Sequence, residues 1–410
     1  MAVQLDQLPP VAMRPARPRL WLWLALLLLF LLAGTATTLM FGGQALQQQS
    51  QYFWVLALGV PLLGWGALVF VRGLLFFGQH RAADGWDEAR EADWLQRIRV
   101  GRRSQQVLSA SLYTALRKPD DLNGSAQLDA LLCGTTAFKA QPSREGAVAV
   151  RHSRLASDAD EAEAVLLEAL TRVLADLASS LKQVPENNPL ALLLEVDCGT
   201  PADLWQRAWQ QAWAASGIRQ TAIAIEGSGL AVVDQWLDQR ISDQALLLVV
   251  ALQIEPSPLD GTGEAAVGLL FGNRLTQRNL APIAYLHRPE QERELSNEAL
   301  LCAVRQSLDW VPVSAQLIEQ TWRVGVGTQR EAAINTVLNE VGLPAKSDQG
   351  LCHLDALLGQ PGRASPWLAI AAATQTIERG AGPQFICSGD SSAEAGLWST
   401  VLMPVPPLSE

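Results

Sequence analysis

Cysteine, histidine and lysine are all scarce in this 410-residue chain. The five cysteines, Cys133, Cys198, Cys302, Cys352 and Cys387, are odd in number and scattered, with no C-x-x-C pair of the kind that marks a zinc site or a redox dithiol. They read as reduced, mostly buried thiols of a cytosolic domain. The histidines at positions 80, 152, 287 and 353 are equally dispersed, so neither a metal centre nor a cofactor is expected. Only 4 of the 31 basic residues are lysine, and a net charge of −10 with no basic stripe excludes a nucleic-acid surface.

Charge is missing altogether from two long stretches. Leu20 to Phe41, "LWLWLALLLLFLLAGTATTLMF", offers 22 uncharged residues, the length needed to cross a hydrocarbon core of roughly 30 Å. Phe53 to Val71 is a second uncharged run, and Pro61 inside it predicts a kink rather than a break. A cleaved signal peptide is the competing reading of the first run; its long proline-rich flank and the span that follows argue against it. The two runs make a hairpin. Arg14, Arg17 and Arg19 precede it, Arg72 and Arg81 follow it, and the connecting "GGQALQQQSQY" carries no charge. The positive-inside rule then places both termini on the cytoplasmic face of a bacterial inner membrane, with membrane lipid as the first partner.

The expected organisation is a cytoplasmic tail over 1–19, a transmembrane hairpin over 20–77 (spans near 20–41 and 53–71), a juxtamembrane helical connector over 78–145, and a large domain over 146–410. Within the domain, Ser157 and Asp160 resemble a capping box ahead of apolar residues at helical spacing from Val165 to Leu181. "PLALLLEVD" (189–197), "TAIAIE" (221–226) and "ALLLVVALQ" (245–253) are apolar runs separated by helical segments, the pattern of a parallel sheet buried on both faces. "GEAAVGLLFG" (263–272) and "APIAYLHR" (281–288) follow with no helix between them and predict an antiparallel pair. Three more helices and two terminal strands, "QFICSG" and "LWSTVLM", complete a layered α/β/α domain.

Three segments, in order, carry a family resemblance. "ALLLVVALQ" with "GEAAVGLLFG" resembles the strand and Gly-Glu-Gly-Ala segment that follow the nucleophile helix of β-ketoacyl synthases. "GVGTQREAAINTVL" resembles their Gly-Thr-Gly-Thr loop and its helix, and "DALLGQPGRASPWLAIAAATQTI" their Gly-His-x-x-Gly-Ala-Ala-Gly stretch. The likeness to this thiolase-like superfamily spans roughly Pro189 to Leu402. It implies a cysteine thiolate at a helix N-terminus and two residues that polarise a thioester carbonyl.

Those places are filled otherwise. The nucleophile junction reads "AIEGSGLA", giving Glu226, Gly227, Ser228 and Gly229; the first histidine place holds Val324, and the second aligns near Ala356, with His353 three residues upstream. Cys198 also ends a strand before a helix, one strand-helix unit too early, and reads as a structural thiol rather than a nucleophile. Ser228 lacks the flanking glycines of a G-x-S-x-G elbow, since Glu226 and Leu230 stand there, so a tight turn is the better reading. The resemblance therefore implies a degenerate, non-enzymatic member: a membrane-anchored accessory or adaptor protein whose partners are a second copy of itself and another protein, of the kind found beside type VI secretion effectors. An acyl-binding or synthase-like subunit of lipid metabolism with an altered site, and a plain membrane scaffold, are the alternatives.

Overall fold

A computed structural model describes residues 8–41, 50–144, 146, 148–157, 159, 161–311, 313–389 and 396–406. The chain divides into two compact units, one of Gln4–Ile98 and one built chiefly of Arg99–Glu410.

The first unit is a pair of helices long and apolar enough to cross a membrane. Leu20–Phe41 forms one. The other starts at Ser50–Trp54, widens into a π turn over Val55–Gly59 and continues as Val60–Gly101. That turn precedes Pro61, whose missing N–H cannot hold the regular ladder. Gly34 of the first helix fits where the second is irregular: a Cβ there would lie 2.2 Å from Pro61 Cγ and 2.6 Å from the Ala57 carbonyl oxygen. The Trp65 indole donates to the Trp23 carbonyl at 2.9 Å, and Thr35, Thr37 and Thr38 return their hydroxyls to carbonyls of their own helix. Ahead of the first helix, the Arg14 guanidinium pairs with Asp84 and Asp87, and the Trp86 indole donates to the Pro10 carbonyl. The stretch before one helix therefore lies beside the far end of the other, as a hairpin with both ends on one side requires.

The second unit holds one large sheet. Its strands are β1 (Ser104–Thr114), β4 (Leu190–Cys198), β5 (Ala222–Ala224), β6 (Leu246–Ile254), β7 (Ala265–Asn273), β8 (Ala284–His287), β9 (Glu290–Gln291), β10 (Gln320–Val324), β11 (Leu351–His353), β12 (Gln384–Ser388) and β13 (Trp398–Pro404); β2 (Lys139–Pro142) and β3 (Ala149–His152) form a separate ribbon. The order β11-β10-β12-β13-β8-β1-β7-β6-β4-β5 contains the same arrangement twice. In each half a parallel triplet (β5, β4, β6 or β11, β10, β12) is extended by an antiparallel hairpin strand, β7 or β13, and closed by the first strand of that half, β1 or β8. Antiparallel pairing of β1 with β8, from Ser104 opposite His287 to Val107 opposite Ala284, joins the halves.

Each half also has a helix leading into its last parallel strand: Gly229–Gln239 before β6, and Ser365–Glu378 before β12. The second is apolar from Pro366 to Ala373, and Trp367 to Ala373 are wholly buried, as a helical stretch with no polar face must be. One core lies between these two helices and the sheet; the other covers the opposite face, under Ala162–Leu181 and Ala202–Ser216. This is the expected layered α/β domain.

Four expectations need correction. The helix expected to connect over 78–145 continues only to Gly101, Ser104–Thr114 is a central strand, and Ser125–Leu132 is a short helix whose Leu128 and Leu131 join the core, so the domain starts about forty residues before position 146. "SQQVLSASLYT" hides this because Gln105 and Gln106 are buried without alternation, and a bulge near Leu108 breaks the period. Second, β7 and β8 do not pair with each other, because β1 lies between them. Third, Ser157 does not cap the helix that begins at Ala162; its hydroxyl donates to Glu168 instead, and Asp160 lies outside the described residues. Fourth, Cys133 and Cys302 are exposed and Cys198 is half-buried, so only Cys352 and Cys387 are interior thiols. Burial pushes both of those up to about 12.

Candidate functional site

Loops at the carboxyl ends of parallel strands are where α/β sheets present chemistry. Here those loops lead into the two central helices and enclose a cavity of about 340 Å³ lined by Glu195, Ser228, Arg363, Pro366, Ser388 and Trp398, among others. Ser228 is the residue before the Gly229–Gln239 helix, in extended geometry (φ −148°, ψ 150°), and its hydroxyl makes no capping bond. Gly227 and Gly229 on either side adopt φ +123° and +55°, conformations that suit glycine, and a Cβ on Gly227 would come within 2.6 Å of Val232. The tight turn read from "GSG" is what forms.

The first N–H of that helix is already committed. Gly229 donates to Glu195 Oε1 at 2.8 Å, while Trp367 in the other central helix donates its indole N–H to Oε2. Glu195 sits in β4 with 4% of its surface exposed. Burial holds its carboxyl above the usual range, against the two hydrogen bonds and the nearby Arg363 charge, which pull it down.

The loop after β10 repeats the arrangement. Gly325 and Val326 donate their backbone N–H groups to the two oxygens of Asp355 at 2.8 and 3.0 Å. Gly325 has φ +66°, and a Cβ there would strike the Gly389 carbonyl at 2.2 Å. Asp355 belongs to the short Leu354–Leu358 helix that follows β11. Next to it, His353 accepts from Arg323 Nη2 on Nδ1 at 2.7 Å, which leaves the proton on Nε2. Arg323 is itself fixed by Asn335 at 2.8 Å. A further clamp sets the first helix: wholly buried Arg288, just past β8, pairs with Asp234 and Asp238 on the Gly229–Gln239 helix.

Of the positions singled out in the sequence, Ser228 and Gly229 line the cavity. Glu226 is exposed on the turn beside it. Val324 is fully buried at the end of β10, where its carbonyl accepts from Gly389 at 3.0 Å. Ala356 is exposed on the Leu354–Leu358 helix and does not line the cavity. Cys198 ends β4 with its thiol 3.7 Å from the Thr200 carbonyl. Glu195, Asp355 and Arg363 were not anticipated. Glu195 did leave a signal: an acid inside "LALLLEVD", a strand buried on both faces, requires a partner.

No family model and no curated sequence matches the chain. Solved structures do. The ishigamide ketosynthase/chain length factor aligns at TM-score 0.53 with 13% identity, over 74% of this chain and 99% of that one. The PfaC keto synthase-chain length factor aligns at 0.52 with 12% identity, over 75% of this chain but only 43% of its own. The type II ketosynthase of the AntDE:AntF complex with its acyl-carrier protein aligns at 0.50 with 9% identity, over 74% and 100%. At such identities the likeness concerns architecture, and the domain has the ketosynthase/thiolase-like fold.

Proposed function

We propose that this protein is a catalytically inactive ketosynthase-like accessory protein, anchored in the bacterial inner membrane by its helical hairpin, that acts by holding a protein partner. The observation that carries the reading is the use of Glu195 and Asp355. Condensing chemistry needs unsatisfied donors where negative charge develops, both to hold a thiolate at a helix N-terminus and to stabilise an oxyanion. At both loops the donors end on an internal carboxylate. Each preorganised donor lost from an oxyanion site costs about 100- to 1000-fold in rate. An anion forming beside Glu195 or Asp355 would also meet a carboxylate at hydrogen-bonding range. With Ser228 at the nucleophile turn and Val324 buried in the core, acyl transfer has no nucleophile and no polarised site.

The partner classes follow from fold analogy. A second copy suits β5, which has one neighbour in the sheet and carries Ile223 at 65% exposure. A secreted effector of a type VI system is the assignment we favour for the other partner. The cavity of about 340 Å³ favours one alternative, an acyl-binding or synthase-like subunit of lipid metabolism with an altered site. The deciding experiment purifies the full chain in detergent, captures its neighbours by cross-linking in membranes, and assays acyl-thioester turnover. We expect effector-class partners and no turnover. Turnover abolished by the combined C198A, S228A and H353A replacements would sink the inactive reading, and capture of lipid-synthesis enzymes alone would favour the alternative.

A further inference from the structure

Residues 8–19, ahead of the first apolar helix, have no regular secondary structure until that helix begins, and four of them, Pro9, Pro10, Pro15 and Pro18, are proline. Each proline ring fixes φ near about −65° and removes the N–H, so this arm is held extended and along Pro9-Pro10 offers carbonyl groups but no donor. The Val60–Gly101 helix, in the same compact unit, supplies the matching groups. Arg90 Nε donates to the Pro9 carbonyl at 2.7 Å, and the Trp86 indole donates to the Pro10 carbonyl at 3.2 Å. At Ala12, where the arm has an N–H, the helix presents a carboxylate instead, and Asp87 Oδ1 accepts at 3.0 Å. Arg14 then pairs with Asp87 Oδ2 at 3.0 Å and with Asp84. Donors face carbonyls, an acceptor faces an N–H and two acids face a cation.

Pro9, Pro10 and Ala12 are held through their backbone atoms and Arg14 through its guanidinium, so any chain with the same spacing of prolines and arginine meets the same partners. An aromatic side chain set against a proline-rich segment is a recurring mode of peptide recognition, because the segment loses little entropy on docking. The arm is held loosely: the side chains of Arg14 and Asp84 are 49% and 51% exposed, and ion pairs this open to water contribute little. We propose that Asp84, Trp86, Asp87 and Arg90 form a recognition face for an extended segment with a Pro-Pro pair and an arginine four residues after it, occupied at rest by the chain's own arm and engaged by a partner protein that presents the same pattern in the arm's place. The arm is then a tethered competitor that the partner must displace. The face belongs to the membrane-anchor unit and stands whether or not the ketosynthase-like domain is inactive.

Fluorescence anisotropy with a labelled peptide of residues 8–19 tests this on the full chain in an uncharged detergent. In wild type the tethered arm competes at an effective concentration on the order of millimolar, so the peptide should bind weakly. R14E sets a carboxylate against Asp84 and Asp87 and expels the arm, and the peptide should then bind at least about ten-fold more tightly; R14Q, the milder change, should move binding in the same direction. Adding D84N and D87N to R14E should take the gain away, and adding W86F instead, which keeps an aromatic ring but removes the indole N–H, should weaken binding several-fold. A peptide with alanine in place of Pro9 and Pro10 carries the same charge and should bind several-fold more weakly than the native one. Equal binding by wild type and both Arg14 variants, no loss with D84N and D87N, or equal binding of the alanine peptide would each overturn the proposal. Uptake of the peptide by protein-free micelles as strong as by R14E would overturn it as well, and would make the amphiphile surface the arm's partner.

Discussion

Gly229 and Glu195 are joined by a hydrogen bond of 2.8 Å from the first backbone N–H of a central helix to a carboxylate buried in β4. The bond sets the electrostatics of the nucleophile turn, since a helix N-terminus lowers the pKa of a neighbouring thiol only while its positive end is uncompensated. A cysteine introduced by S228C should react with iodoacetamide at pH 7 no faster than an ordinary exposed thiol. The same replacement in an E195Q background should react several-fold faster. Equal rates in the two backgrounds would show that Glu195 does not quench the helix end.

Glu290 gives a pH signature. Its carboxyl accepts from the Trp310 indole, and burial lifts it to about 7, with Asp234 also raising it and the indole bond, Arg288 and Arg293 opposing. An acid whose folded pKa lies above its unfolded value favours folding in its protonated form. The stability is present at low pH and is lost as pH rises from about 4.5 to about 7. For a shift of this size the loss reaches at most about 3 kcal/mol. E290Q keeps an acceptor for Trp310 and removes the titration, so its melting temperature should change less than that of wild type between pH 5 and pH 8. Parallel pH dependences for the two proteins would refute the assignment.

The hairpin makes a steric prediction. A leucine at Gly34 places a Cβ 2.2 Å from Pro61 Cγ and against the Ala57 carbonyl, whereas Gly66 has nothing within 4 Å of its added Cβ. G34L should separate the helices, with overpacking costing about 1–3 kcal/mol, and G66L should be tolerated. Disulfide cross-linking between cysteines placed on the two helices reads the difference; equal efficiency in both variants would count against the packing.

Topology is checked with a reporter active only in the periplasm. Fused after Glu410 it should be silent, and inserted in the uncharged connection before Tyr52 it should be active. The opposite pattern would invert the orientation argued from Arg14, Arg17, Arg19, Arg72 and Arg81.

Elements whose cause is local can be read directly from the residues. The uncharged runs at 20–41 and 53–71, the apolar periodicity from Val165 to Leu181, the strand-helix alternation from Leu190 and the "GSG" turn all depend on side-chain pattern within a dozen residues. The resemblance to β-ketoacyl synthases rested on three such segments in order, and the ketosynthase/thiolase-like fold agrees with it. The remaining features depend on pairs far apart in the chain. β1 sits between β7 and β8 because strand order is set by packing of whole halves, and no periodicity in "SQQVLSASLYT" announces it. Glu195 reaches Gly229 and Trp367 across 34 and 172 residues, and Asp355 reaches Gly325 across 30. A carboxylate that satisfies a distant backbone N–H and one that awaits a ligand have the same letter in a sequence. Which it is follows from the N–H groups that folding brings within hydrogen-bond distance.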